Sequence, residues 1–258
     1  LLERITKLKY VEIVPKQNGL FFNIHFIFKN EESLEQVPNT SEKDLRVLAI
    51  DIGINNLLAM IDTVTGKSVL VSGKKIKSIN RHYNKMTSKA KSELKLKLKE
   101  KISSAKKSKK DSQSVSTKKI KHMWQKRQNK ITDELHKISR KVINYCLENG
   151  LNEIVIGKNK EWKTNCNMGK KTNQKFVQIP HARLIDMIKN KADMHGITVI
   201  TQEESYTSKC DALSLEEICK HEKYLGRRVK RGLFKSGTGK FLNADINGAL
   251  NILRKCKG

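Results

Sequence analysis

The chain has 258 residues, with 53 Lys+Arg against 26 Asp+Glu, a formal charge of +27 and 37% hydrophobic residues. That apolar fraction supplies a core and excludes a disordered tail, while the charge points to a polyanionic partner, because phosphate contacts relieve self-repulsion and release condensed counterions. Runs such as Val47 to Ile50 fall far short of the roughly 18 residues of a membrane span, and five cysteines without a C-x-x-C pair exclude a disulfide scaffold and fit a reducing intracellular compartment.

In chain order, the β-rich runs Leu8 to Val14 and Leu20 to Phe28 are split by Lys16-Gln17-Asn18-Gly19, whose Asn-Gly predicts a hairpin. The polar stretch Glu31 to Lys43, with Pro38, reads as a linker. A small β subdomain over residues 1–43 and a main domain over 44–258 follow from that division. Leu45 to Ile52 is almost continuously apolar, as in a strand buried on both faces, and Leu57 to Thr63 and Gly66 to Ser72 continue as strands.

Between Lys74 and Lys130, 21 Lys+Arg meet only Glu93, Glu100 and Asp111, a local excess of +18. This segment reads as a basic arm for nucleic acid, with helical spacing over Ile76 to Leu98 and Lys118 to Lys130 and a Ser/Lys-rich, mobile tip over Ser103 to Ser116. Ile131, Leu135, Ile138, Val142 and Tyr145 then mark a separate amphipathic helix that stops at Gly150. Glu153 to Ile156 is a short strand. Pro180 opens a helix carrying Leu184, Ile188 and Ala192, Gly196 closes it, Ile197 to Thr201 is a strand, and Ala244 to Leu253 is a terminal helix. The alternation of helix and strand implies right-handed crossovers, and so an α/β domain whose mixed five-stranded sheet has helices on its faces.

Asp51 interrupts an apolar run where an unpaired carboxylate is costly to bury. It reads either as an Asx turn before Gly53 or as a metal ligand on rigid central backbone. Asp245, in Asn243-Ala244-Asp245-Ile246-Asn247-Gly248-Ala249, either serves the dipole of the last helix or joins the same site. Glu203 and Glu204 end the strand Ile197 to Thr201. Carboxylates gathered at one edge of an α/β sheet suit two divalent ions acting on a phosphodiester, which points to a nuclease.

Four segments, Val47-Leu48-Ala49-Ile50-Asp51-Ile52-Gly53, Ile154-Val155-Ile156-Gly157 with Trp162-Lys163, Glu204-Ser205-Tyr206-Thr207-Ser208-Lys209, and Asn243 to Ala249, resemble in order and spacing the RuvC-like nuclease domain of the transposon-encoded OrfB/TnpB family, which is similar to type V CRISPR effectors and to Fanzor proteins. The resemblance implies an RNase H-like (RuvC-like) fold and an RNA-guided DNA endonuclease with guide RNA and target DNA as partners and two Mg²⁺ at Asp51, Glu204 and Asp245. It also implies that the hairpin ends a wedge-like subdomain continuing upstream of Leu1. No membrane and no small-molecule substrate are expected, and the location is cytoplasmic in a prokaryote or nuclear in a eukaryote.

Two departures from the pattern stand out. Most of the family carries its second acid where this chain has Gly157, a substitution that on its own suggests a catalytically inactive RNA-guided repressor; a subset moves it to the neighbouring strand, which favours Glu204 over Glu203 and the remoter Glu161. The family's zinc ribbon is also missing its pattern, since Cys210, Cys219 and His221 fit no tetrahedral set, and zinc is not expected. The insert over residues 210–242 instead carries Arg227, Arg228 and Arg231, which with Lys126, Arg127, Lys163, Thr207, Ser208 and Lys209 are the expected nucleic-acid contacts. A guide-free RuvC-type nuclease is the remaining alternative; it predicts a short chain without the basic arm.

Overall fold

A computed structural model describes residues 7–29, 46–104, 117–158 and 177–257. β1 (Lys7–Lys16) and β2 (Phe21–Lys29) pair antiparallel around a turn in which Gln17, Asn18 and Gly19 all have positive φ, the conformation that an Asn-Gly turn accepts. The hairpin meets the rest of the chain where Phe21 packs edge-on against His122.

The main sheet contains β3 (Val47–Ile52), β4 (Asn56–Asp62), β5 (Ser68–Ser72), β6 (Glu153–Gly157) and β7 (Thr198–Gln202), in the order β5-β4-β3-β6-β7. The first three strands are antiparallel, whereas β6 lies parallel to β3 and β7 parallel to β6. On one face sit α2 (Lys118–Glu148) and α3 (His181–Asp193), with α1 (Lys74–Ser104) running beside α2; on the other lies α4 (Ala244–Lys257).

The two-residue period of β3 sorts its side chains between these faces. Leu48, Ile50 and Ile52 enter the large core with Leu135, Ile138, Val142, Leu184 and Ile188, while Val47 and Ala49 meet Ile252 and Ala249 of α4. Asp51 follows in that second series, and so faces the helix that carries Asp245. Val155 and Gly157 of β6 take the same side, opposite Ile154 and Ile156.

Two expectations change. The basic segment Lys118 to Lys130 and the apolar helix from Ile131 are one 31-residue helix, α2, capped by Thr117 and free of glycine and proline, so nothing breaks it. Its C-terminal half buries an apolar stripe while its N-terminal half carries six of its nine basic residues. The insert is also built: β8 (Arg227–Lys230), β9 (Leu233–Lys235) and β10 (Phe241–Asn243) form an antiparallel sheet around buried Phe234. Strands of three or four residues carry too little period-2 signal to be read from sequence. The linker Glu31 to Lys43, residues 105–116 of the arm's tip, Glu161, Trp162 and Lys163 lie outside the described residues.

Candidate functional site

The three candidate carboxylates come from elements far apart in sequence and meet at one end of the sheet. Asp51 is near the end of the central strand, and its Oδ2 lies against the bare helix surface at Gly248, where a Cβ would be 2.7 Å away. Asp245 is in the first turn of α4. Asn243 caps that turn, accepting from the backbone N–H groups of Asp245 at 2.9 Å and Ile246 at 3.4 Å. Asn56 Nδ2 donates to Asp245 Oδ2 at 2.8 Å, and the Arg228 guanidinium stands 3.8 Å from Oδ1.

Glu204 lies where the chain leaves β7. A Cβ on Gly157 would sit 2.3 Å from Glu204 Oε1 and 2.8 Å from its Cγ, so the glutamate side chain fills the space that any other residue at 157 would need. Its neighbour Glu203 turns elsewhere: Oε2 accepts from Lys255 Nζ at 2.6 Å, and Oε1 takes the Ser205 N–H and hydroxyl. Geometry therefore separates two adjacent glutamates that sequence could only rank.

The electrostatics follow the burial. Desolvation, reinforced by the Asp245 charge and opposed by Arg228, pushes the Asp51 carboxyl up to about 7. Burial and then the nearby Asp51 and Glu203 charges push Glu204 up to about 8. Glu203 moves the other way, held below the usual carboxylate range by Lys255 and Ser205. Two partly buried, mutually repelling carboxylates constitute a site that gains from a cation. Among the described residues no three acidic, His or Cys side chains converge on one metal-sized point; the trio couples in pairs, with Asp51 in the middle. Its donor set, all carboxylate oxygen, fits a hard divalent ion rather than zinc.

Several residues that sequence reasoning did not single out hold this arrangement. Asn247 and Asn251 are fully buried, one turn apart on α4. Asn251 Nδ2 donates to the carbonyls of Thr207 and Cys210, and Asn247 donates to Cys210 O while accepting from Ala212 N–H. The helix that carries Asp245 thus grips the segment that follows Glu204. Polar residues at i, i+4 on the buried face of an apolar helix are the signal that could have found them.

Asp211 is the second unforeseen centre. Its buried carboxylate accepts from Leu213 N–H, from Ser214 Oγ at 2.6 Å, from Ser236 Oγ at 2.7 Å and from Gly237 N–H at 2.6 Å, tying the turn after Cys210 to the turn after β9. Cys210 Sγ meets Cys219 O at 3.5 Å and Cys219 Sγ lies 3.4 Å from His221 Nε2.

One expected nucleic-acid contact is corrected, and a second is half-buried with internal partners. Thr207 is 2% exposed, and its hydroxyl donates to Glu204 O at 2.9 Å, so it closes the turn instead of facing a strand. Arg127 is committed internally: Nε donates to Asn80 Oδ1 at 2.7 Å, NH2 donates to Gln178 O at 3.1 Å, and its guanidinium carbon lies 5.3 Å from the Tyr83 ring centre. Lys126, Ser208, Lys209, Arg227, Arg228 and Arg231 are exposed.

Comparison with known proteins bears on the family and the fold. The model of the OrfB_IS605 family, described as a probable transposase, matches residues 29–163, and the Cas12f1-like TNB domain model matches residues 181–252. Among solved structures, a Cas12f1 in complex with sgRNA and target DNA aligns with a TM-score of 0.56 at 18% identity over 95% of this chain and 56% of its own. A CRISPR-Cas12f ternary complex aligns with a TM-score of 0.54 at 15% identity over 95% of this chain and 45% of its own. The chain thus spans about half the length of these structures. A search of curated proteins finds no significant match.

Proposed function

The chain belongs to the OrfB_IS605 family of probable transposases, and from that premise we propose that it carries the catalytic domain of a TnpB-type, RNA-guided DNA endonuclease associated with a transposable element. On this reading residues 44–258 form an RNase H-like, RuvC-like domain, with a basic helical arm over 74–130 and a basic insert over 210–242, and residues 1–43 belong to a wedge-like β subdomain. The strand order β5-β4-β3-β6-β7, with an antiparallel trio followed by two parallel strands, supports the RNase H-like assignment.

The observation that carries the reading is the Glu204 side chain beside bare Gly157. Gly157 taken alone favours an RNA-guided binder that does not cut; a carboxylate occupying the space beside it, next to Asp51, supports a cutter. Asp51, Glu204 and Asp245 would hold two Mg²⁺, whose chemistry is to polarise an attacking water and stabilise the leaving 3′ oxygen. Asn56 and Asn243 orient Asp245. Arg228, exposed and 3.8 Å from Asp245, balances the carboxylates and is available to a phosphodiester. The arm holds a guide RNA and its DNA heteroduplex by shape and charge, leaving sequence choice to base pairing.

The test is reconstitution with guide RNA, matched DNA and Mg²⁺. Asp51→Ala, Glu204→Ala and Asp245→Ala should each abolish cleavage while retaining RNA binding. Full cleavage by Glu204→Ala would sink the glutamate assignment; DNA binding without cleavage by the wild type would favour the repressor.

A further inference from the structure

We propose that Lys77, at the start of the basic arm, is a positioning residue for the metal site: it holds the turn between β3 and β4, and the turn holds Asp245. The inference rests on the metal-site reading above and names the part of the fold that sets one of its ligands. Gly53, Ile54 and Asn55 join β3, which carries Asp51, to β4, whose first residue, Asn56, donates from Nδ2 to Asp245 Oδ2 at 2.8 Å. Two helix starts grip this turn. From α1, the Gly73 N–H donates to Asn55 O at 2.8 Å and Lys77 Nζ donates to Asn55 Oδ1 at 2.6 Å, so residues one helical turn apart engage both oxygens of Asn55. From α3, buried His181 donates from Nε2 to Gly53 O at 3.2 Å. The turn has no slack between them. A Cβ on Gly53 would lie 2.5 Å from Asn56 O, and one on Gly73 would lie 2.5 Å from Ile54 O. Asn55 and Asn56 are consecutive, so a shift of the first carries the second and its bond to Asp245.

The burial pattern of α1 sets Lys77 apart from the lysines that face a polyanion. Among the described lysines of α1, Lys77 alone is half-buried and the others are exposed. An ammonium that gives up hydration needs a fixed oxygen in exchange, and Asn55 Oδ1 supplies one. A lysine serving a phosphate keeps its head in water instead. Outer partners that hydrogen-bond a metal ligand fix its orientation and so tune the site. Asn56 is such a partner of Asp245, and Lys77 acts one link further out, through the backbone it steadies. The arm is thereby fastened to the metal site at its first turn.

Binding of Mn²⁺ alone to the nucleic-acid-free full chain is measured by loss of the free-ion EPR signal, well below the melting temperature, and affinity for a labelled RNA is measured across a salt series. Asn56→Ala should weaken Mn²⁺ binding by roughly 10- to 100-fold, the usual cost of removing an outer partner, and Lys77→Met, which keeps the aliphatic stem but no donor, by a smaller factor of at least about 3. By charge alone, removing a cation would tighten Mn²⁺ binding, so a loss carries the sign of positioning. A residue that only staples the fold would lower the melting temperature and leave the affinity of the folded chain unchanged. The double variant should bind no more weakly than Asn56→Ala, because both changes act through one turn. Lys77→Arg should restore most of the affinity. The salt slope of RNA binding should not change in Lys77→Met, since no phosphate contact is lost.

Unchanged or tighter Mn²⁺ binding in Lys77→Met, additive losses in the double variant, or a salt slope shallower by roughly 1 overturns the positioning role; the last would make Lys77 a phosphate contact. If Lys77→Met does not fold, Asn55→Ala, which removes the acceptor and keeps the lysine, decides on the same readout. No Mn²⁺ binding by the wild-type chain overturns the metal-site reading itself, and this inference with it.

Discussion

Gly157→Ala isolates the contact on which the catalytic assignment depends. Gly157 does not have a positive φ, so alanine brings no backbone strain there, and in a strand it would ordinarily be neutral or better. The added Cβ would lie 2.3 Å from Glu204 Oε1, 2.5 Å from Ile252 Cδ1 and 2.8 Å from Glu204 Cγ, whereas ordinary contact begins at 3.4 Å. The carboxylate must therefore retreat by about 1 Å. A misplacement of that size costs on the order of 100-fold in rate. Crowding buried Ile252 adds about 1–3 kcal/mol of destabilisation, which for a chain of this size is roughly 2–12 °C in Tm.

The assay is Mg²⁺-dependent cleavage of guide-matched DNA by Gly157→Ala, paired with thermal unfolding in a double-mutant cycle with Glu204→Ala. In the Glu204→Ala background two of the three obstructing atoms are gone, so the added alanine should cost less stability than in the wild type. Non-additivity in Tm is the signature of the contact. Gly157→Ala cutting at the wild-type rate with an unchanged Tm would refute the idea that Glu204 works from this niche.

Other consequences follow from the same geometry. In chelator, the chain should lose stability as pH rises from about 4 to 8: Asp51 and Glu204 ionise near 3.8 and 4.5 when unfolded but keep their protons to about 7 and 8 when folded, so the folded state binds more protons across that window. Melting at pH 5 and pH 8 checks the sign, Glu204→Gln should flatten the slope, and added Mg²⁺ should stabilise more at pH 8. Asp211→Asn replaces the acceptor of four or more hydrogen bonds by an amide that leaves buried donors unmatched, and should lower stability by about 3 kcal/mol, roughly 6–12 °C; zinc chelators should leave the melt unchanged. Asn251→Leu frees the carbonyls of Thr207 and Cys210, and should reduce cleavage by more than about 10-fold while guide-RNA affinity holds, because the Glu204 segment loosens without loss of basic surface.

Strand and helix positions were readable because they depend on local periodicity. The apolar run around Asp51, the Asn-Gly turn and the apolar face from Ile131 each carry their own structural signal within a few residues. The continuity of α2 was less readable, since a charged half and an apolar half look like two segments although nothing between them breaks a helix. The strands β8, β9 and β10 were not readable, because four residues do not establish a period.

The site divides along the same line. Asp51 and Asp245 were legible because a carboxylate in a buried strand and one in a helix's first turn stand out from their neighbours. Adjacent in sequence and identical in chemistry, Glu203 and Glu204 offered no local reason to choose between them. Their separation came from Lys255, some fifty residues on, and from the absence of a side chain at Gly157 on the next strand. Arg127 and Thr207 make the opposite point: both residue types suit a phosphate, and only the fold shows their internal partners, Asn80, Gln178 and Glu204, which leave Thr207 buried and Arg127 half-buried.

Sequence by itself determined that this chain is a basic α/β protein with two acids on successive structural landmarks. Tertiary structure decided which glutamate lies beside Asp51 and which pairs with Lys255, because burial and pairing are set by residues that sequence separation does not reveal.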